Sequence, residues 1–78
     1  MALVRTIGSA GARNTGRVHG EVRCESSIFE EARRTYLQLD TYGSPERANP
    51  DKVSQSLQFD EEGARKLKAL INRAFPSL

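Results

Sequence analysis

Very few residues in this chain have side chains suited to covalent or acid–base chemistry. His19 is the only histidine and Cys24 the only cysteine. A cysteine nucleophile needs a base within hydrogen-bond reach. On an extended strand, positions 19 and 24 have opposite parity and point to opposite faces. Within one protomer they therefore do not make a Cys-His pair. Two soft ligands also fall short of the four that a structural zinc site takes, so no metal is expected. A single cysteine forms no internal disulfide. Free cysteine behaves as a small hydrophobe, so Cys24 is expected in the core and His19 at the surface or a sheet edge. Asp40 has no catalytic partner in its own strand. It is expected to hydrogen-bond Ser or Tyr hydroxyls, or to pair with Arg23 across a sheet. The glycine-rich stretch 8–16 is not followed by the Gly-Lys-Ser/Thr of a phosphate-binding loop. Acid, base and nucleophile converge nowhere, and the expectation is a non-enzymatic protein without cofactors.

A different chemistry is carried by Tyr36, Gln38 and Tyr42, which alternate along one segment. Phenol rings among amides and hydroxyls can stack on nucleobases and hydrogen-bond their edges. Arg13, Arg17, Arg23, Arg33, Arg34, Arg47 and Lys52 lie in adjoining segments and are candidate phosphate contacts. Ser54 completes the candidate nucleic-acid-binding set. Tyrosines also occur on strands simply because aromatic rings suit a pleated surface. A protein-interaction or assembly module, recruiting its partner through a sheet face or an edge strand, is the rival reading.

These residues must be positioned by short elements. Residues 3–7 are β-branched in part and predict a first strand. Residues 8–16 predict a flexible loop. Residues 17–29 predict a second strand, with Val18, Val22 and Cys24 on one parity and Glu21, Arg23 and Glu25 on the other. Residues 30–34 are charged and predict a connection. In residues 35–42, Leu37 and Leu39 point one way while Tyr36, Gln38, Asp40 and Tyr42 point the other. Residues 43–52 hold two prolines and predict a surface loop. Residues 53–59 predict a fourth strand, with Leu57 and Phe59 on one face and Ser54, Ser56 and Gln58 opposite. Asp60 is a good N-cap, Glu61 and Glu62 suit a first helical turn, and Ala64, Leu67, Leu70, Ile71, Ala74 and Phe75 form one stripe. The helix is predicted over 60–75. The expected fold is α+β, a single domain over 1–78. It is a four-stranded antiparallel sheet with one C-terminal helix on one face (ββββα), leaving the tyrosine-bearing face open.

The chain has 78 residues and a formal net charge of +2. A chain of this size buries a modest fraction of its surface, and without disulfides or metals it is expected to self-associate as a homodimer. No stretch reaches the roughly 20 apolar residues of a membrane span, and the N-terminus lacks a signal-peptide pattern. With a lone cysteine, this predicts a cytoplasmic protein.

The segment YLQLDTY (36–42), the Pro-containing basic loop after it, the strand ending Leu57-Gln58-Phe59, and Asp60 with its amphipathic helix together resemble a known pattern. Over residues 35–75 the chain resembles the C-terminal domain of the transcriptional positive cofactor four family, coactivators that bind single-stranded DNA as dimers. In that family the helix packs on the sheet and helps pair the protomers, and the opposite face and loops hold the nucleic acid. The resemblance implies stacking roles for Tyr36 and Tyr42 and phosphate contacts for Arg47 and Lys52. It departs from the family where Val53-Ser-Gln-Ser56 replaces a basic, Gly-containing run and Gly43-Ser44 replaces an aromatic. The stretches YLQLDTYGS and VSQSLQFDEE also resemble short uncharacterised bacterial proteins. Some of those are labelled methionyl-tRNA formyltransferase, whose folate and tRNA sites 78 residues cannot hold.

Overall fold

A computed structural model describes residues 1–11, 16–43 and 51–78. The elements follow in the order β1 (Ala2–Val4), β2 (Cys24–Glu31), β3 (Arg34–Tyr42), β4 (Val53–Phe59) and α1 (Glu61–Ala74). The strands make one sheet in the spatial order β1-β4-β3-β2, and α1 lies on one face against β3 and β4. The fold is α+β with the ββββα order. The sheet is mixed rather than antiparallel, because β1 runs parallel to β4 while β2, β3 and β4 are antiparallel neighbours. β1 and β4 are joined by no hairpin. The whole sheet separates them along the chain, and only a long connection of that kind lets neighbours run parallel.

Two strand boundaries differ from the sequence pattern. β2 begins at Cys24, and residues 17–23 are not strand. The reason is its partner: β3 ends at Tyr42, whose N–H donates to the Arg23 carbonyl at 3.0 Å. Beyond Arg23 no β3 backbone remains to pair, so Val18 and Val22 are exposed. The charged stretch 30–34 is not a loop but the tip of a hairpin, with Glu30 opposite Thr35 and Glu31 opposite Arg34. Only Ala32 and Arg33 turn, both at positive φ, 52° and 65°. Those angles are the two-residue geometry that suits the twist of flanking strands, which Asn-Gly ordinarily signals. β1 is also shorter than residues 3–7, because the start of α1 crosses it there.

That crossing holds the fold together. Asp60 caps α1 by accepting from the Gly63 N–H at 2.8 Å, and Arg5 reaches the same carboxylate at 3.3 Å. Glu61 and Glu62 complement the positive end of the helix. Gly63 is buried against the Val4 backbone, and a Cβ there would overlap the Val4 carbonyl. At the other end, the Phe75 N–H closes the helix onto the Ile71 carbonyl at 2.8 Å, one residue before Pro76.

On the helix side, one row crosses the sheet through Val4, Phe59, Leu37 and Ile28. Burial fades along it. Phe59 is 5% exposed, Val4 and Leu37 are half-buried, and Ile28 on the β2 edge is 76% exposed. The next row holds Leu57, Leu39 and Ser26, of which only Leu39 is half-buried. The expected apolar face of Leu37, Leu39, Leu57 and Phe59 therefore exists, but α1 covers only its β4 end. Cys24, expected in the core, is exposed, because it starts an edge strand beyond the reach of α1. Among the described residues no helix is long and apolar enough to cross a membrane.

Two substitutions probe these features. Gly→Ala in a helix ordinarily stabilises by about 1 kcal/mol. Gly63→Ala is instead expected to destabilise by about 1–3 kcal/mol, since the Val4 backbone must move; urea unfolding measures the sign. Replacing Ala32-Arg33 by Asn-Gly relieves two positive-φ side chains and is expected to stabilise by about 1 kcal/mol, read as a higher urea midpoint.

Candidate nucleic-acid interface

The sheet face away from α1 is built by strand alternation. On β3 it takes Tyr36, Gln38, Asp40 and Tyr42. The register adds Phe29 beside Tyr36, Ser27 beside Gln38, and Glu25 beside Asp40 from β2. From β4 it adds Gln58 beside Gln38 and Ser56 beside Asp40. Among the described elements, none packs over this face. Tyr36 and Tyr42 are half-buried within it, about 20 Å apart at the rise of an extended strand.

The face has three zones. At the hairpin end, Phe29 and Tyr36 stack with ring centroids 5.4 Å apart and planes inclined by 21°. In the middle, side chains are linked into a polar network. Ser56 Oγ donates to Asp40 at 2.5 Å. Gln38 Nε2 donates to both Asp40 oxygens at 3.0 and 3.2 Å, and Gln58 Nε2 donates to Gln38 Oε1 at 2.9 Å. Each bond fixes the orientation of the next amide, as in other cooperative networks. At the far end, the Arg23 guanidinium lies 4.0 Å from the centroid of the Tyr42 ring. The Tyr42 hydroxyl donates to Glu25 Oε1 at 3.2 Å. Arg23 also approaches Glu25 at 4.0 Å and Asp51 at 3.7 Å.

The predicted residues fall into groups. Tyr36, Gln38, Tyr42 and Arg23 share the open face. Asp40 does not pair with Arg23; it takes its hydrogen bonds from Ser56 and Gln38. Ser54 has no opposite number, because the β3–β4 register shifts at Thr41/Tyr42 and Tyr42 pairs with Val53. A bulge of this kind removes a residue from regular alternation, so its parity with Ser56 does not place it on the face. Lys52 and Arg17 are exposed outside the strands. Arg13 and Arg47 lie outside the described residues, as do parts of the loops 8–16 and 43–52. Phe29 was missed as a site residue. Its parity with Glu25 along β2, and with Arg23 just before it, was the signal that could have found it.

Partial burial, followed by the hydrogen bond to Glu25 and that carboxylate's charge, raises the Tyr42 phenol above its ordinary value of 10.0, against an opposing pull from Arg23. Among the described residues no group of three His, Cys, Asp or Glu side chains is placed to hold a metal ion. His19 lies in the non-strand stretch before β2 and Cys24 at the start of β2.

No protein-family model, curated protein or solved structure matches the chain.

Tyr42 binds its proton more tightly folded than unfolded, so its contribution to stability is present below pH 10 and is lost as pH rises past that value. Ultraviolet titration is expected to show one phenol ionising late, and Tyr42→Phe is expected to remove that late component.

Proposed function

We propose that this protein is a non-enzymatic, single-stranded nucleic-acid-binding protein that works as a cytoplasmic homodimer, similar in mode to the coactivator family it resembles. The observation that carries the reading is the open face itself, with aromatic groups at both ends and an oriented amide network between them. A strand of DNA or RNA laid along β3 meets Phe29 and Tyr36 at one end and the Arg23–Tyr42 pair at the other. Basic residues flank each end in the chain, Arg33 and Arg34 at the hairpin and Lys52 beside Tyr42. Stacking tolerates any base, since every base has a π face. The Gln38 and Gln58 amides offer hydrogen bonds to exposed base edges.

The carboxylates of Glu25 and Asp40 on the same face favour a second reading. They repel phosphate, and they suit an assembly module whose partner is a protein with basic or hydroxyl groups. Capture of a protein partner that withstands nuclease and salt would support that reading over the first.

Fluorescence anisotropy with labelled single-stranded oligonucleotides decides between them. Binding at micromolar protein in low salt is expected, weakening as salt rises. Each lost stacking contact is worth about 1–3 kcal/mol. Tyr36→Ala with Tyr42→Ala is therefore expected to weaken binding by tenfold or more, and Arg23→Ala to lower the salt slope by about 1. No binding in low salt overturns the proposal, and unchanged binding by the double variant overturns the stacking mechanism.

A further inference from the structure

β2 is a long, open edge of the sheet. In the spatial order β1-β4-β3-β2 it has a neighbour on one side alone, and all of it is exposed except Phe29, which is half-buried. The opposite edge, β1, is 3 residues long, whereas β2 runs for 8.

The ladder with β3 fixes what this edge offers. The Tyr42 N–H donates to the carbonyl of Arg23, which the β2–β3 register sets directly opposite. That pair points its backbone groups inward, at β3. Hydrogen-bonded and non-hydrogen-bonded pairs alternate along an antiparallel ladder. Glu25, Ser27, Phe29 and Glu31 therefore also point inward, and the Glu31–Arg34 pair closes the hairpin. Cys24, Ser26, Ile28 and Glu30 point their N–H and C=O groups away from the sheet. Among the described elements no strand receives them.

Edge strands are ordinarily guarded by a proline, a bulge, a cover or charge. β2 holds no proline, and its pairing with β3 runs without a register shift from Cys24 to Glu31. Its guard is acidic: Glu25, Glu30 and Glu31 are its only charges. Glu25 is engaged by Arg23 and by the Tyr42 hydroxyl. Glu30 and Glu31 make no ion pair among the described residues. Ile28, 76% exposed, ends the row Val4, Phe59, Leu37 with its outer side bare. Such an edge repels an acidic strand, a second β2 included, and admits a basic one.

We propose that this edge takes an extended, basic segment of another protein as a further antiparallel strand. Its backbone pairs with Cys24, Ser26, Ile28 and Glu30. An apolar side chain opposite Ile28 continues the row on the helix side, and cations stand opposite Glu30 and Glu31. Read from the segment's N-terminus, the fitting pattern is two adjacent cations, one residue of any type, then an apolar residue. Main-chain bonds supply affinity and the side-chain pattern supplies selectivity, as in other strand additions. The proposal does not rest on the nucleic-acid reading, because strand addition leaves Tyr36, Gln38 and Tyr42 uncovered.

Amide hydrogen exchange on the full chain, with and without the peptide Thr-Lys-Lys-Thr-Val-Thr-Thr, tests it. In the free chain the Ser26, Ile28 and Glu30 amides are expected to exchange faster than those of Ser27, Phe29 and Glu31. The peptide is expected to slow the first set tenfold or more. A peptide with both lysines replaced by glutamate is expected to leave them fast, as is one N-methylated at valine, whose N–H faces Ile28. Ser26→Pro removes an outward donor and no bond to β3. It is expected to weaken peptide binding tenfold or more while the inward amides stay protected. The proposal is overturned by outward amides already as slow as the inward set in the free chain, or by exchange unchanged at about 1 mM peptide. Equal binding of the N-methylated or the acidic peptide overturns it too, as do peptide-induced shifts confined to the open face.

Discussion

The junction between β4 and α1 is the constraint on which this fold depends. Within five residues it supplies the buried side chain Phe59, the cap Asp60, the acidic first turn Glu61 and Glu62, and the buried Gly63. Phe59 lies in the sheet row and Gly63 on the backbone of β1, so the helix start is pinned to β4, β3 and β1 together. The Arg5 contact to Asp60 adds a tether from the chain leaving β1. Where the helix sits follows from this one point. Because the crossing is tight at Gly63, the N-terminal half of α1 is held close and the C-terminal half is carried beyond the edge of its cover.

That placement divides the sheet into two unlike surfaces. The helix side keeps aliphatic side chains that one helix cannot cover. The other side is polar in its centre and satisfied by its own hydrogen bonds: among the described residues no buried side-chain polar atom lacks a partner. Satisfied networks of this sort hold side chains in one arrangement. On this face they give Gln38 and Gln58 defined orientations that loose surface amides lack. The carboxylate that organises them, Asp40, is also the group least compatible with a phosphate overhead. Under the proposed function, a nucleic acid on this surface would present bases to the centre and keep its backbone toward the basic ends.

The two aromatic ends are already occupied on one side, Tyr36 by Phe29 and Tyr42 by Arg23. A base added at either end extends an existing stack. An arginine plane is itself a surface on which bases stack, so under the proposed function Arg23 would serve this end of the face in two ways, as a charge and as a platform. The β2 strand contributes Phe29 and Glu25 to this face, with Arg23 just before its start, while Glu30 alternates to the helix side.

Period-two alternation from Tyr36 to Phe59 and the 3.6-residue stripe of α1 are local properties, and they determined the ββββα order, the strand faces, the Asp60 cap and the open tyrosine-bearing side. Local pattern carried them because each residue's face follows from its neighbours a few positions away. Where β2 begins was not legible, since that depends on where its partner β3 ends. The Ala32-Arg33 turn was hidden because neither residue carries the usual glycine or asparagine. The direction of β1 and the exposure of Cys24 and Ile28 depend on how far one helix reaches across the sheet. The displacement of Ser54 depends on a register shift against β3. Each of these is a relation between segments distant in the chain, and only the packed tertiary structure decides such relations.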